Sequence, residues 1–272
     1  MKRLCLHTIT TKPWDIDTAL EKYAEAGIGG VSVWRDAVAG RDLAEVRRRM
    51  EGLGLAGVSL VRGGYFPHHE PSRRQAALEE NRRCIEEAHE LGLPLVVLVC
   101  GADPAQSLET SRKQITDALS VLADEAAAAG VTLGIEPLHP MYAGDRSAVN
   151  TLAQANDMAE ALSHPAVAVV VDVYHLWWDP DLRRQIHRCG AMGKLAAFHI
   201  SDWRIPTEDL VLDREIMGQG CIPLAAITEW VEETGYTGYI EVEIFSTRYW
   251  QEDQSVFLSR IIDAYRAIQN DR

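Results

Sequence analysis

Short apolar runs alternate with longer amphipathic stretches along the whole 272-residue chain. The runs at 4–8, 30–34, 57–61, 95–99, 131–136, 167–172, 195–200 and 239–244 are rich in Val, Ile and Leu and show little polar alternation. Strands of a parallel sheet covered on both faces read this way. Helical spacing of apolar residues marks stretches such as 42–53, 73–91, 106–129, 152–162 and 224–234, with Gly27, Gly54, Gly92, Gly130 and Gly235 where helices would end. Eight strand-then-helix units in a chain of this length predict an α/β protein, a closed (β/α)8 TIM barrel forming one domain over residues 1–272. An open doubly wound sheet is the alternative, but it usually has fewer strands, and no GxGxxG follows the first run. No linker, low-complexity tract or charge block suggests a second domain.

In such a barrel the working residues lie at the C-terminal ends of strands and in the loops that follow. Four consecutive runs, the fifth to the eighth, carry a metal-capable side chain there: Glu136, Asp172, His199 and Glu243. Any one of them alone reads equally well as a polar strand end facing a helix cap or water. Four converging in one pocket would repel or bear large desolvation costs unless a cation joined them. Oxygen-rich ligation with one nitrogen and no thiolate favours one divalent ion, Mn²⁺ first, with Mg²⁺, Co²⁺ or Zn²⁺ as alternatives. Glu241 faces the same way as Glu243 by the two-residue period; Glu243 is preferred because it lies nearer the strand's C-terminal end.

Composition narrows the partners. With 27 basic and 40 acidic residues the formal net charge is -13, which disfavours nucleic acid and anionic membrane surfaces. Five dispersed cysteines without a CxxC pair fit a reducing compartment, and no segment has the length and apolarity of a signal peptide or a membrane span. A cytoplasmic protein is expected. Aromatic residues at or just after strand ends, among them Trp34, Tyr142, Trp178 and Trp203, suit a small-molecule pocket that stacks on sugar-like rings. Several loop tryptophans equally suit a subunit interface, and a homo-oligomer is expected on that ground. His68 and His69 read as a solvated pair, while His139 and Asp202 are candidates to orient ligands or substrate.

The segments Gly134-Ile135-Glu136-Pro137, Asp172-Val173-Tyr174-His175, Phe198-His199-Ile200-Ser201-Asp202, Gly218-Gln219-Gly220 and 238–245 resemble the xylose-isomerase-like sugar isomerase/epimerase superfamily, and within it the inosose (2-keto-myo-inositol) isomerases. The likeness runs over nearly the whole chain and is most specific in its second half. It implies a metal held by Glu136, Asp172, His199 and Glu243, with the two glutamates on opposite sides of a small sugar or keto-cyclitol. It also implies that His175 and Arg204 touch substrate oxygens, with Arg214 as a replacement for Arg204. The chemistry expected is isomerisation or epimerisation, in which Glu136 and Glu243 remove and return a proton through an enediolate. A dehydratase on the same scaffold shares the first step. A metal-dependent endonuclease is disfavoured, because strands three and four end in Val61-Arg62-Gly63 and Val99-Cys100-Gly101 and no Asp-x-His follows His199. A non-catalytic sugar-binding barrel is the remaining alternative.

Overall fold

The structure is a computed structural model and describes residues 1–270. Eight parallel strands close into a barrel: β1 (Leu4–His7), β2 (Gly30–Trp34), β3 (Ala56–Gly64), β4 (Leu95–Val99), β5 (Thr132–Glu136), β6 (Val167–Asp172), β7 (Leu195–Ile200) and β10 (Ile240–Val242), with β10 pairing back onto β1. The ring of helices comprises α1 (Ile16–Glu25), α2 (Leu43–Gly52), α3 (Pro71–Leu91), α4 (Leu108–Ala128), α5 (Leu152–Leu162), α7 (Leu182–Ala191), α8 (Leu224–Glu233) and α9 (Gln254–Asn270). A single turn, α6 (Val173–Leu176), follows β6. Two short strands, β8 (Asp202–Trp203) and β9 (Arg214–Glu215), form an antiparallel pair in the loop after β7. The expected strand set is thus the observed barrel. β3 runs on to Gly64 because the Asn81 side chain of α3 accepts from the Gly64 amide and donates to its carbonyl.

Parity along the strands sorts the interior from the helix layer. Leu4 and Leu6 of β1, Val31 and Val33 of β2, Leu133 and Ile135 of β5, Val169 and Val171 of β6, and Ile240 and Val242 of β10 all belong to the large apolar core shared with the helices. The opposite parity faces the barrel axis, where a separate small cluster of Val61, Leu95, Val97, Val170 and Ala197 fills the centre. Among the other inward positions, His7, Ser32, Glu136, Asp172, His199, Glu241 and Glu243 are polar and buried. Helix ends are fixed locally. Asp15, Asp42, Ser107 and Thr151 each accept from a backbone amide at a helix start, and Gly92 ends α3 at φ 71, a conformation that favours glycine.

Four cysteines are buried thiols and Cys221 is partly covered. Among the described residues no helix is long and apolar enough to cross a membrane.

The axis tolerates little added volume. A Cβ on Gly134 of β5 would lie 2.8 Å from Cγ2 of Val170 and 3.0 Å from Cδ1 of Leu95, and Val170 is stiff at χ1. Gly134→Ala is therefore expected to lose about 1–3 kcal/mol in urea denaturation, with Val170→Ala in the same chain recovering part of the loss. An unchanged midpoint would show that the centre of the barrel has room to spare.

Candidate functional site

Strand polarity alone gathers the charged side chains at one mouth. Glu136 and Asp172 are the last residues of β5 and β6, His199 is next to last in β7, and Glu243 follows β10 directly. All four are buried, and one ligand-capable atom from each lies within 4.8 Å of the others. Glu136 and Glu243 reach a cavity walled by Trp34, Val99, Leu138, Tyr142, Val211 and Phe245, which His175, Arg62, Arg146 and Arg214 also line. Glu241, of the same parity, lies one layer deeper: its Oε2 accepts from Ser32 Oγ at 2.6 Å and lies 3.1 Å from His7 Nε2. That placement separates it from the cavity carboxylates.

Carboxylates this close need compensating charge. Arg214, carried on β9, supplies much of it: Nη1 donates to Asp172 Oδ2 and Glu243 Oε2, both at 3.0 Å, and to the Glu243 carbonyl at 3.2 Å. Its guanidinium lies over Tyr174 and Phe245, 4.4 and 5.2 Å from the ring centres. His7 Nδ1 approaches Glu243 Oε1 to 2.9 Å. His199 stands between two carboxylates, with Nδ1 3.1 Å from Glu136 Oε1 and Nε2 3.7 Å from Glu241 Oε2.

These contacts divide the two cavity glutamates. Burial pushes the Glu136 carboxyl up, and nearby Glu243 and Asp172 add to this against the pull of His199. Burial acts on Glu243 in the same direction, but His7 and Arg214 outweigh it and hold that carboxyl well below the ordinary range. For His199, burial disfavours the imidazolium, yet Glu241, Glu136 and Glu243 together hold its pKa up at about 10. His175 goes the other way, to about 3, because burial outweighs the attraction of Asp172 and Arg214 adds repulsion. A neutral His175 whose Nε2 lies 3.1 Å from Arg214 Nη2 accepts there, which leaves the proton on Nδ1. That nitrogen is buried without a partner.

The remaining expected residues fall differently. Trp34 and His175 line the cavity. Arg204 is turned away, its Nη1 on Asp213 Oδ1 at 2.7 Å and its Nη2 on Glu208, so the arginine that enters the site is Arg214. His139 accepts from the Met141 amide and packs beside Trp178 and Trp203, while the Trp178 indole donates to the His175 carbonyl at 2.8 Å. Both stand behind the cavity wall and support its backbone. Asp202 accepts from the Trp203, Gly218 and Ile222 amides and ties down the Gly218–Gly220 turn. His68 and His69 stack on each other, and His69 Nδ1 contacts Asp103 Oδ2 at 2.7 Å, at a surface away from the cavity lining. His7, Arg62 and Arg146 were not anticipated. His7 and Arg62 carried a usable signal, a polar residue closing an apolar run; Arg146, in a loop, carried none.

Arg214 is thus a structural counter-charge as well as part of the cavity. In chelator-treated protein, Arg214→Gln leaves Asp172 and Glu243 buried without it, and a loss of about 3–5 kcal/mol in urea denaturation is expected. A loss below about 1 kcal/mol would show that the cluster does not depend on this cation.

The sequence profile of the family described as xylose isomerase-like TIM barrel matches residues 20–260. Among solved structures, a protein of Sinorhizobium meliloti 1021 superposes with a TM-score of 0.95 at 40% identity, covering 98% of each chain. An inosose isomerase of Bacillus velezensis is 28% identical over 218 residues, 77% of this chain and 73% of that protein. A 3-dehydroshikimate dehydratase of Pseudomonas putida is 30% identical over 238 residues, 84% of this chain but 35% of that protein. The chain therefore spans about a third of the dehydratase's length.

Proposed function

The chain belongs to the xylose isomerase-like TIM barrel family, and on that premise we propose that it is a divalent-metal-dependent isomerase or epimerase of a small sugar or keto-cyclitol, inosose-like in its α-hydroxy carbonyl group. The observation that carries the reading is the convergence of Glu136, Asp172, His199 and Glu243 within 4.8 Å at a cavity in the barrel mouth that Glu136 and Glu243 line. The chemistry of the donor set fits a metal ion: Glu136 Oε1 and the ring nitrogens of His199 are buried and, although Nδ1 lies 3.1 Å from Oε1, none of them makes a hydrogen bond of good geometry, and three carboxylates with one imidazole suit an oxygen-preferring divalent ion. We propose Mn²⁺ as that ion. When bound, it supplies Lewis acidity that draws charge from the carbonyl and hydroxyl oxygens of the substrate and so acidifies the C–H between them.

The chain's own residues do the proton work. The Glu136 carboxyl lines the cavity and is pushed up by burial against the pull of His199, which suits it to take a proton from carbon and hold it. Glu243 is kept ionised by His7 and Arg214, so it starts as an acceptor. Two carboxyls with opposed proton affinities on one cavity can work as acid and base in turn. Return of the proton to the other face of the same carbon gives an epimer, and return to the neighbouring carbon gives an isomer. We take His175, a donor at Nδ1 by the tautomer its Arg214 contact selects, to bind a substrate oxygen.

Loss of a β-hydroxyl after the same first step would make the enzyme a dehydratase, and the similarity to 3-dehydroshikimate dehydratase favours keeping that second reading. One experiment separates the two. Protein stripped with chelator and reloaded with Mn²⁺ is incubated in D₂O with inosose and a panel of ketohexoses and followed by NMR. Deuterium incorporation next to the carbonyl, with an isomer or epimer formed, is expected; an unsaturated product would move the assignment to the lyase. Chelation should abolish exchange and added metal restore it. Glu136→Gln and Glu243→Gln should each slow exchange by about 10²–10⁴-fold. Exchange that is indifferent to metal and to both substitutions would overturn the proposal.

A further inference from the structure

The cavity is acidic at its floor and basic at its rim. Besides Arg214, which is paired, it is lined by Arg62 of β3 and Arg146 of the loop after β5. Elsewhere in this chain arginines find carboxylates readily: Arg35 binds Glu80 and Glu87, and Arg188 binds Asp157 and Glu160. Among the described residues, Arg62 and Arg146 have none within ion-pair distance, although the chain carries a formal net charge of -13. Their contacts are aromatic instead. The Arg62 guanidinium lies 5.1 Å from the Tyr65 ring centre and 5.9 Å from that of Trp34, and Arg146 lies 5.4 Å from that of Tyr142.

A guanidinium resting on a ring keeps its N–H edge free, and that edge matches two oxygens of a carboxylate or phosphate. Two guanidinium groups without a carboxylate partner draw an anionic end of a substrate to the rim, which leaves the opposite end to go down toward the floor. We propose that the substrate carries an anionic substituent, a carboxylate or a phosphate, held by Arg62 and Arg146, which turns its α-hydroxy carbonyl end toward Glu136 and Glu243. This rests on the isomerase reading of the same site and deepens it: the substrate is a sugar acid, a keto-cyclitol acid or a sugar phosphate, and the two arginines set specificity.

The test uses three ligands that differ only at C6: D-fructose, D-fructuronate and D-fructose 6-phosphate. Their affinities for Mn²⁺-loaded wild type, Arg62→Gln, Arg146→Gln and the double variant are measured by tryptophan fluorescence at two salt concentrations, with circular dichroism verifying the fold. At least one anion should bind about tenfold or more tightly than fructose, with that preference reduced by salt. The anion that gains more identifies the substituent. The preference should shrink in each single variant and approach one in the double variant. Equal affinities in the wild type, a preference that survives in the double variant, or no binding of either anion would overturn the inference. Deuterium exchange in the same samples keeps the two proposals apart. Exchange without an anion preference removes the rim site and leaves the isomerase; an arginine-dependent preference without exchange does the reverse.

Discussion

Four carboxylates, Glu136, Asp172, Glu241 and Glu243, lie inside a narrow barrel with none more than 4% exposed. Taking such charges out of water costs several kcal/mol each unless cations and hydrogen bonds compensate, and much of the local architecture answers that constraint. Arg214 bridges Asp172 and Glu243, His7 links Glu243 to Glu241, and His199 stands between Glu136 and Glu241. The short β8–β9 hairpin carries Arg214 into the site, with the Arg214 amide bonded to the Phe245 carbonyl. Tyr174 and Phe245 flank its guanidinium.

The same constraint explains how the barrel is stabilised. Its axis holds a small apolar cluster of five buried residues, because much of the inward surface is committed to polar groups. The large apolar core lies outside the strands, where the opposite parity meets the helices. Burial on that side can sustain an interior that contributes little hydrophobic stabilisation of its own.

Division of labour follows from where each residue sits. Glu136, Asp172 and His199 are in strands hydrogen-bonded on both sides, and the amide of Glu243 is tied to the Ile200 carbonyl, so their positions are set by a rigid scaffold. Most of the residues that shape the rim, including Tyr142, Arg146, Val211 and Phe245, come from loops. Loops tolerate change without disturbing the sheet.

Much of this was legible in the sequence. The eight runs, the helix stops at Gly54, Gly92 and Gly130, and the polar residues closing the last four barrel runs are local signals, since strand parity and helix periodicity are properties of a few adjacent residues. His175, three residues after Asp172, was reachable by resemblance. What sequence left open was decided by contacts between distant segments. Glu241 and Glu243 share a parity; position along the strand favoured Glu243, which lines the cavity, while Glu241 contacts His7 and Ser32 beneath it. Arg204 and Arg214 lie on a loop without periodicity, and the choice between them came from Asp213 and Glu208 holding one while Asp172 and Glu243 drew in the other. Arg146 gave no signal, because a loop's direction is set by what it packs against. The alternating pattern therefore determined the barrel and its acidic mouth, whereas tertiary structure decided which cations meet those carboxylates, since charge pairing depends on distances in space that spacing along the chain does not encode.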